Sequence, residues 1–265
     1  MLNFKAIQTA AQSILDASVQ NREELGVQFA VFRGGEPVVN ACAGYLDPER
    51  TKAVGERTIF PVYSTGKAIA ATAALKLVEQ GKLHLGMRVA DLWPEFGAHG
   101  KEHVTVRHLF QHRSGICRRP HYDGIPQIAD WKIMCARVAG HATAFVPGTQ
   151  TRYQTVNYGW LLGEIAQRAD GRPFKQIIEE EVLQPLNLKS LFFGVPAGDL
   201  PRVATIVRGP EMAAIPDHPP CWDYELDTIM NTDVIRQACL PGFNCIANAM
   251  DLARHAAAVL QTGKK

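Results

Sequence analysis

Ser64 stands three residues before Lys67 in the run Val62-Tyr63-Ser64-Thr65-Gly66-Lys67. Residues three apart share one face of a helix, so a lysine so placed reaches the serine hydroxyl. A serine hydroxyl is a weak nucleophile until a neighbouring base takes its proton. Lysine serves as that base only as the neutral amine, and burial and the positive partial charge of a helix N-terminus both lower its pKa. The same N-terminus offers backbone N–H groups to an oxyanion forming on an acyl carbonyl. The chemistry implied is acyl transfer through a serine ester. With 5 serines and 11 lysines in 265 residues, chance supplies roughly 0.2 such spacings. An N-cap serine followed by a surface lysine accounts equally well for an isolated match, so the spacing needs company.

The company is a set of ordered blocks. After Ser64–Lys67 come EQGKLHLGMRVADLWPEF, HVTVRHLFQHRSGI and FVPGTQTRYQTVNYGWLLGEI. In this order the blocks resemble the serine β-lactamase-related family, which groups class C β-lactamases, D-alanyl-D-alanine peptidases and esterases that share their active site. The resemblance covers most of residues 20–260. It implies an α+β fold of the β-lactamase/transpeptidase type: an antiparallel sheet flanked by helices plus an all-helical region, with the site between them. It makes Ser64 the nucleophile, Lys67 its activating partner and Tyr153 the tyrosine of a Tyr-x-Asn motif, as general base or proton relay. Nearby positive charge would lower the phenol pKa to suit that role. No metal or organic cofactor is implied.

Two departures from the family pattern stand out. The asparagine of Tyr-x-Asn is replaced, since the run reads Tyr153-Gln154-Thr155. Asparagine offers a carbonyl acceptor and two N–H donors, threonine a single hydroxyl. Thr155 could bond Lys67 but reaches less far, which favours ester over amide substrates. Asn157 does not repair the motif. The family's third motif, Lys- or His-Thr-Gly on a sheet strand, is also missing from its place. Gln261-Thr262-Gly263 directly follows a helix and reads as a turn. The sheet is therefore expected to be incomplete, with the edge of a hairpin at 26–44 exposing Phe29, Val31 and Val39. Either the chain is truncated or a homo-oligomer completes the sheet, and hydrolysis by this chain alone is expected to be weak.

The elements that must position these residues are legible in outline. Residues 1–265 read as one domain in three stretches. The first, 1–63, holds an amphipathic helix to about Arg22, a hairpin around Gly34-Gly35 and a connector ending in Ile59-Phe60-Pro61-Val62. The second, 64–240, is mainly helical: a helix after Ser64 that stops at Gly81, then helices at 105–112, 126–140, 157–168 and 174–182. A proline-rich excursion spans 194–235, and its segment 209–224, with Trp222 and Tyr224, reads equally as a lid over the site or as a disordered loop. The third, 241–265, returns through a turn at Leu240-Pro241-Gly242 and a helix at 250–260. No strands beyond the hairpin are evident.

Other features exclude rather than assign. His108 and His112 stand four apart, but Leu-Phe-Gln follows His108, so no zinc-protease motif exists. Arg113, Arg118, Arg119 and His121 form a solvated loop or a rim favouring carboxylates. The six cysteines form no CxxC pair, which argues against a disulfide scaffold or zinc ribbon. A hydrophobic content of 46%, 20% charged residues and a net charge of +2 describe an ordinary globular chain with no electrostatic reason to bind nucleic acid or a membrane. The N-terminal stretch lacks signal-peptide character, and the location expected is cytoplasmic. The reading is a serine hydrolase acting on small-molecule esters or related acyl donors. The alternatives are a catalytically silent binding protein of the same fold and, more weakly, a D-alanyl-D-alanine peptidase or β-lactamase.

Overall fold

The computed structural model describes residues 3–209 and 226–260. Helix α1 (Phe4–Gln20) is capped by Asn3, whose side chain accepts from the Ala6 N–H. Strands β1 (Gly26–Arg33) and β2 (Glu36–Gly44) form an antiparallel hairpin. Its turn requires two residues at positive φ, supplied by Gly34 at 60° and Gly35 at 90°, as a two-residue hairpin of matching twist demands.

The outer edge of β2 is covered by side chains rather than by a strand. Gln8 of α1 donates to the Asn40 carbonyl at 2.9 Å and accepts from the Asn40 N–H at 2.8 Å. Gln12 donates to the Cys42 carbonyl at 2.9 Å. The arrangement satisfies backbone groups that an open edge would leave bare. It also corrects the expectation for the hairpin's apolar residues. Phe29 is exposed and Val31 half-buried, but Val39 is only 2% exposed, because α1 packs over β2. The other edge of β1 meets no strand among the described residues.

A second sheet, of strand order β3-β5-β4, was not evident in the sequence. It consists of β3 (Phe60–Tyr63), β4 (Leu191–Phe192) and β5 (Cys245–Ala247), all antiparallel. Strands of two to four residues are too short to show a period of two. Placing β4 within 64–240 means that this stretch is not wholly helical.

The helical part begins with α2 (Gly66–Glu79), where Ile69, Ala70, Ala73, Ala74 and Leu77 are buried at helical spacing. They pack on α7 (Asn157–Asp170), whose Trp160, Leu161, Leu162, Ile165 and Ala166 lie in the same core. Short helices surround the pair: α3 (Val89–Leu92), α4 (Val106–Phe110), α5 (Ile125–Ala129), α6 (Trp131–Ala139) and α8 (Phe174–Ile178). The helix expected over 126–140 is two, because Asp130 is extended and caps α6 by accepting from the Ile133 N–H at 2.9 Å. Past α8 the chain takes one π turn, Glu179–Leu183. After α9 (Leu226–Met230), α10 (Asp233–Gln237) and β5, helix α11 (Ala249–Leu260) packs on β1. The segment proposed as a lid lies, but for Gly209, outside the described residues, as does Gln261-Thr262-Gly263.

Helix α2 meets the second sheet at Gly66. A Cβ there would stand 2.3 Å from the Cys245 Cβ and 3.0 Å from the Phe193 ring. Both neighbours are buried, so neither has room to yield. Gly66→Val is expected to lower unfolding stability by roughly 1–3 kcal/mol, read from the urea midpoint. An unchanged midpoint would show that α2 moves off β5 without cost.

Candidate active site

Ser64 follows β3 directly, and Lys67 lies in the first turn of α2. Tyr63, the last residue of β3, has φ of 48°, so the chain turns sharply to place Ser64 at the helix start. The Lys67 Nζ donates to the Ser64 Oγ at 2.8 Å. It also donates to the Gly242 carbonyl. Its Nζ lies 4.9 Å from the Tyr153 ring centroid. The structure thus brings Ser64, Lys67 and Tyr153 together, as their blocks in the sequence anticipated.

Burial first sets the electrostatics. Lys67 is 7% exposed, and desolvation holds its ammonium below the ordinary lysine pKa, although bonding to Tyr153 works the other way. Partial burial alone would raise the Tyr153 phenol. Its hydrogen bonds to Ser64 and Lys67, with the Lys67 charge, outweigh that, and the phenol titrates below its ordinary value. Its neighbour Tyr158 goes the other way, pushed by burial and then by Tyr153 to about 12. Two adjacent tyrosines are thereby driven apart, and the one bonded to Ser64 is the more acidic.

The Gly242 carbonyl had no signal in the sequence. It reaches Lys67 because two glycines let backbones touch. A Cβ on Gly159 of α7 would stand 2.1 Å from the Gly242 nitrogen, and a Cβ on Gly242 would stand 2.2 Å from the Val156 oxygen. Neither glycine is at positive φ; space, not conformation, requires them.

Thr155 is close to the site but differently engaged from the expectation. Its hydroxyl accepts from the Arg119 Nε at 3.2 Å, and it does not bond Lys67. Its φ of 34° is one that β-branched residues adopt at a cost. Asn157 points away from Lys67, donating to the Ile116 carbonyl at 3.4 Å and the Arg118 carbonyl at 2.8 Å. Of the basic stretch, Arg113 turns inward to the Gly148 carbonyl, and His121 pairs with Asp123 at 3.0 Å. His108 closes a capping box with Thr105 at the start of α4. His112 accepts at Nδ1 from the Gln154 N–H. No group of three or more histidine, cysteine or acidic residues suited to a metal occurs among the described residues.

A family model described as Beta-lactamase matches residues 11–264. The chain belongs to the Beta-lactamase family. Among curated relatives it is 31% identical to the esterase/beta-lactamase LipL of Mycobacterium tuberculosis, over 71% of this chain and 44% of that one. It is 28% identical to the esterase EstB of Burkholderia gladioli, over 82% of this chain and 56% of that one. The crystal structure of a family VIII carboxylesterase superposes with a TM-score of 0.85 at 29% identity, covering 97% of this chain and 70% of that one. The chain thus spans about half the length of these curated relatives. The comparisons establish the β-lactamase/transpeptidase-like fold anticipated from the ordered blocks. No helix among the described residues is long and apolar enough to cross a membrane.

Lys67 contributes to the lowered pKa of the Tyr153 phenol. Lys67→Met is expected to raise the Tyr153 phenol towards its ordinary range. The measurement is phenolate absorbance against pH, with Tyr153→Phe as the reference that isolates this tyrosine. A midpoint unmoved by the substitution would separate Lys67 from the phenol.

Proposed function

We propose that this chain is a serine hydrolase that works through an acyl-enzyme on Ser64, with carboxylic esters of small molecules as its substrates. The observation that carries the reading is the Ser64 hydroxyl bonded at 2.8 Å by a buried lysine whose Nζ lies 4.9 Å from the centre of the Tyr153 ring. Relatives named as esterases support the substrate class.

The roles follow from donor counting. An ammonium has three N–H groups and no acceptor. The Lys67 Nζ donates to Ser64 and to Gly242, and its charge faces the Tyr153 ring. The Gly242 carbonyl only accepts, so one N–H is always directed at it. With Lys67 as the cation, the Tyr153 phenolate is the group that receives the Ser64 proton. Ser64 Oγ then adds to the ester carbonyl, and the N-terminal end of α2 favours the negative charge that forms. When the C–O bond to the leaving alkoxide breaks, Tyr153 returns the proton to it and the alcohol departs. Water repeats the sequence on the acyl-serine, giving the acid and free Ser64. No metal or organic cofactor enters these steps.

Thr155 bears on which acyl donors are accepted. Its hydroxyl is held by Arg119, and it has no amide to grip a substrate's peptide or lactam group. Esters need less help because an alkoxide leaves more readily than an amide anion.

Incubation of the folded protein with a fluorophosphonate, followed by mass spectrometry, is expected to place one adduct on Ser64. Ser64→Ala and Lys67→Ala are each expected to reduce ester turnover at least about 1,000-fold. Full turnover in Ser64→Ala would rule out this nucleophile. No adduct on folded protein would favour a silent relative that binds without turning over. Thr155→Asn is expected to raise the amide-to-ester rate ratio about tenfold, and to stabilise the fold by roughly 1 kcal/mol because asparagine tolerates positive φ. Unchanged ratios would remove Thr155 from the account of specificity.

A further inference from the structure

Tyr153 is half exposed and sits in an irregular run before α7, so something must hold it over Ser64. Both of its chain neighbours are hydrogen-bonded to the same residue. The Arg152 N–H donates to the His112 carbonyl at 3.0 Å. The Gln154 N–H donates to the His112 Nδ1 at 3.2 Å. The His112 ring lies 4.9 Å from the Tyr153 ring and 4.8 Å from the Tyr158 ring. One residue, forty-one positions earlier in the chain, therefore brackets the tyrosine on either side and packs against its ring.

The local backbone makes this reach possible. His112 follows α4 and adopts φ of 56°, a left-handed conformation in which histidine and asparagine are enriched. The next turn is tied down in turn: Gln154 donates through its side chain to the Ser114 Oγ, and the Tyr158 N–H donates to the Gln154 carbonyl at 3.3 Å. The bracket is thus joined to the start of α7 and to the loop after α4.

We infer that His112 is a positioning residue for Tyr153, acting as a neutral imidazole whose unprotonated Nδ1 holds the Gln154 N–H and so fixes the phenol against Ser64. The inference rests on the role proposed for Tyr153. Protonation of Nδ1 turns an acceptor into a donor facing another donor, and the bracket opens on that side. The titratable groups facing the ring are Lys67 from α2, Tyr153 from the preceding loop and Tyr158 from α7. Burial and then the Lys67 charge hold the imidazole below its ordinary pKa, with only the Gln154 bond opposing them. His112 is therefore neutral at pH 7, and the bracket opens only under acid conditions.

Two non-titrating substitutions separate acceptor from ring. His112→Asn keeps an oxygen near the position of Nδ1 and tolerates positive φ, but does not titrate in this range. His112→Phe keeps the ring and loses the acceptor. Ester turnover in His112→Phe is expected to fall about tenfold or more in kcat, with KM changed less than about threefold. His112→Asn is expected to keep kcat within about threefold of the parent. In the parent, log kcat/KM against pH falls with one proton for Tyr153 and steepens to two below the His112 titration; in His112→Asn it keeps a slope of one. Hydrogen–deuterium exchange of the peptide containing residues 152–154, corrected for intrinsic rates, reads the bracket without any turnover. Its protection is expected to drop in the parent as pH falls through the His112 titration, and to be insensitive to pH in His112→Asn. Parent protection that does not respond to pH, or equal losses of kcat in both variants, would overturn the inference. An inactive parent with pH-dependent protection would instead reject the hydrolase reading and leave the bracket standing.

Discussion

The arrangement of this molecule turns on one buried cation. A lysine ammonium taken out of water is tolerated only where acceptors replace the water it has lost. Lys67 meets three separate parts of the chain: it donates to Ser64 at its own helix start and to the Gly242 carbonyl ahead of β5, and it faces the ring of Tyr153 ahead of α7. Each therefore has an energetic reason to be where it is. The same burial that makes Lys67 costly also lowers its pKa, and its charge makes the phenol beside it more acidic.

The surrounding structure serves that cluster. Gly66 lets α2 lie on β5, and Gly159 with Gly242 lets the turn at 241–243 press on α7. His112, Ser114, Gln154 and Asn157 form a ladder of polar bonds under the loop that carries Tyr153. The network is satisfied only in part, since the Gln154 Oε1 and the Asn157 Oδ1 are buried without a partner. The four residues lie in two stretches of chain, at 112–114 and 154–157, so the loop that carries Tyr153 is tied to the loop after α4.

The hairpin shows how the rest of the domain manages its edges. Glutamine side chains of α1 cover the outer edge of β2, while α11 packs on β1. An apolar surface remains at α1, where Ile7 and Ile14 are exposed next to Phe29.

Some of this was determined by the sequence itself. Helix geometry puts residues three apart on one face, so Ser64 and Lys67 were legible as a pair before any fold was known. The Gly34-Gly35 turn was legible for a similar reason, since a two-residue hairpin needs positive φ and glycine supplies it. The ordered blocks placed Tyr153 with them and gave the fold. Tertiary structure alone decided the rest. The Gly242 carbonyl meets Lys67 across 175 residues, and no local pattern encodes a contact made by backbone oxygen. Strands of two to four residues carry no period to read, so the second sheet stayed hidden. Thr155 was near enough to the site to be named, but its partner is Arg119 rather than Lys67, because the turn after α4 brings a guanidinium to its hydroxyl. Val39 had the look of an exposed strand residue and is buried, because α1 folds back over β2. Spacing within a turn or a helix is dictated by local bond geometry, whereas contacts between distant segments are dictated by packing, which only the folded chain determines.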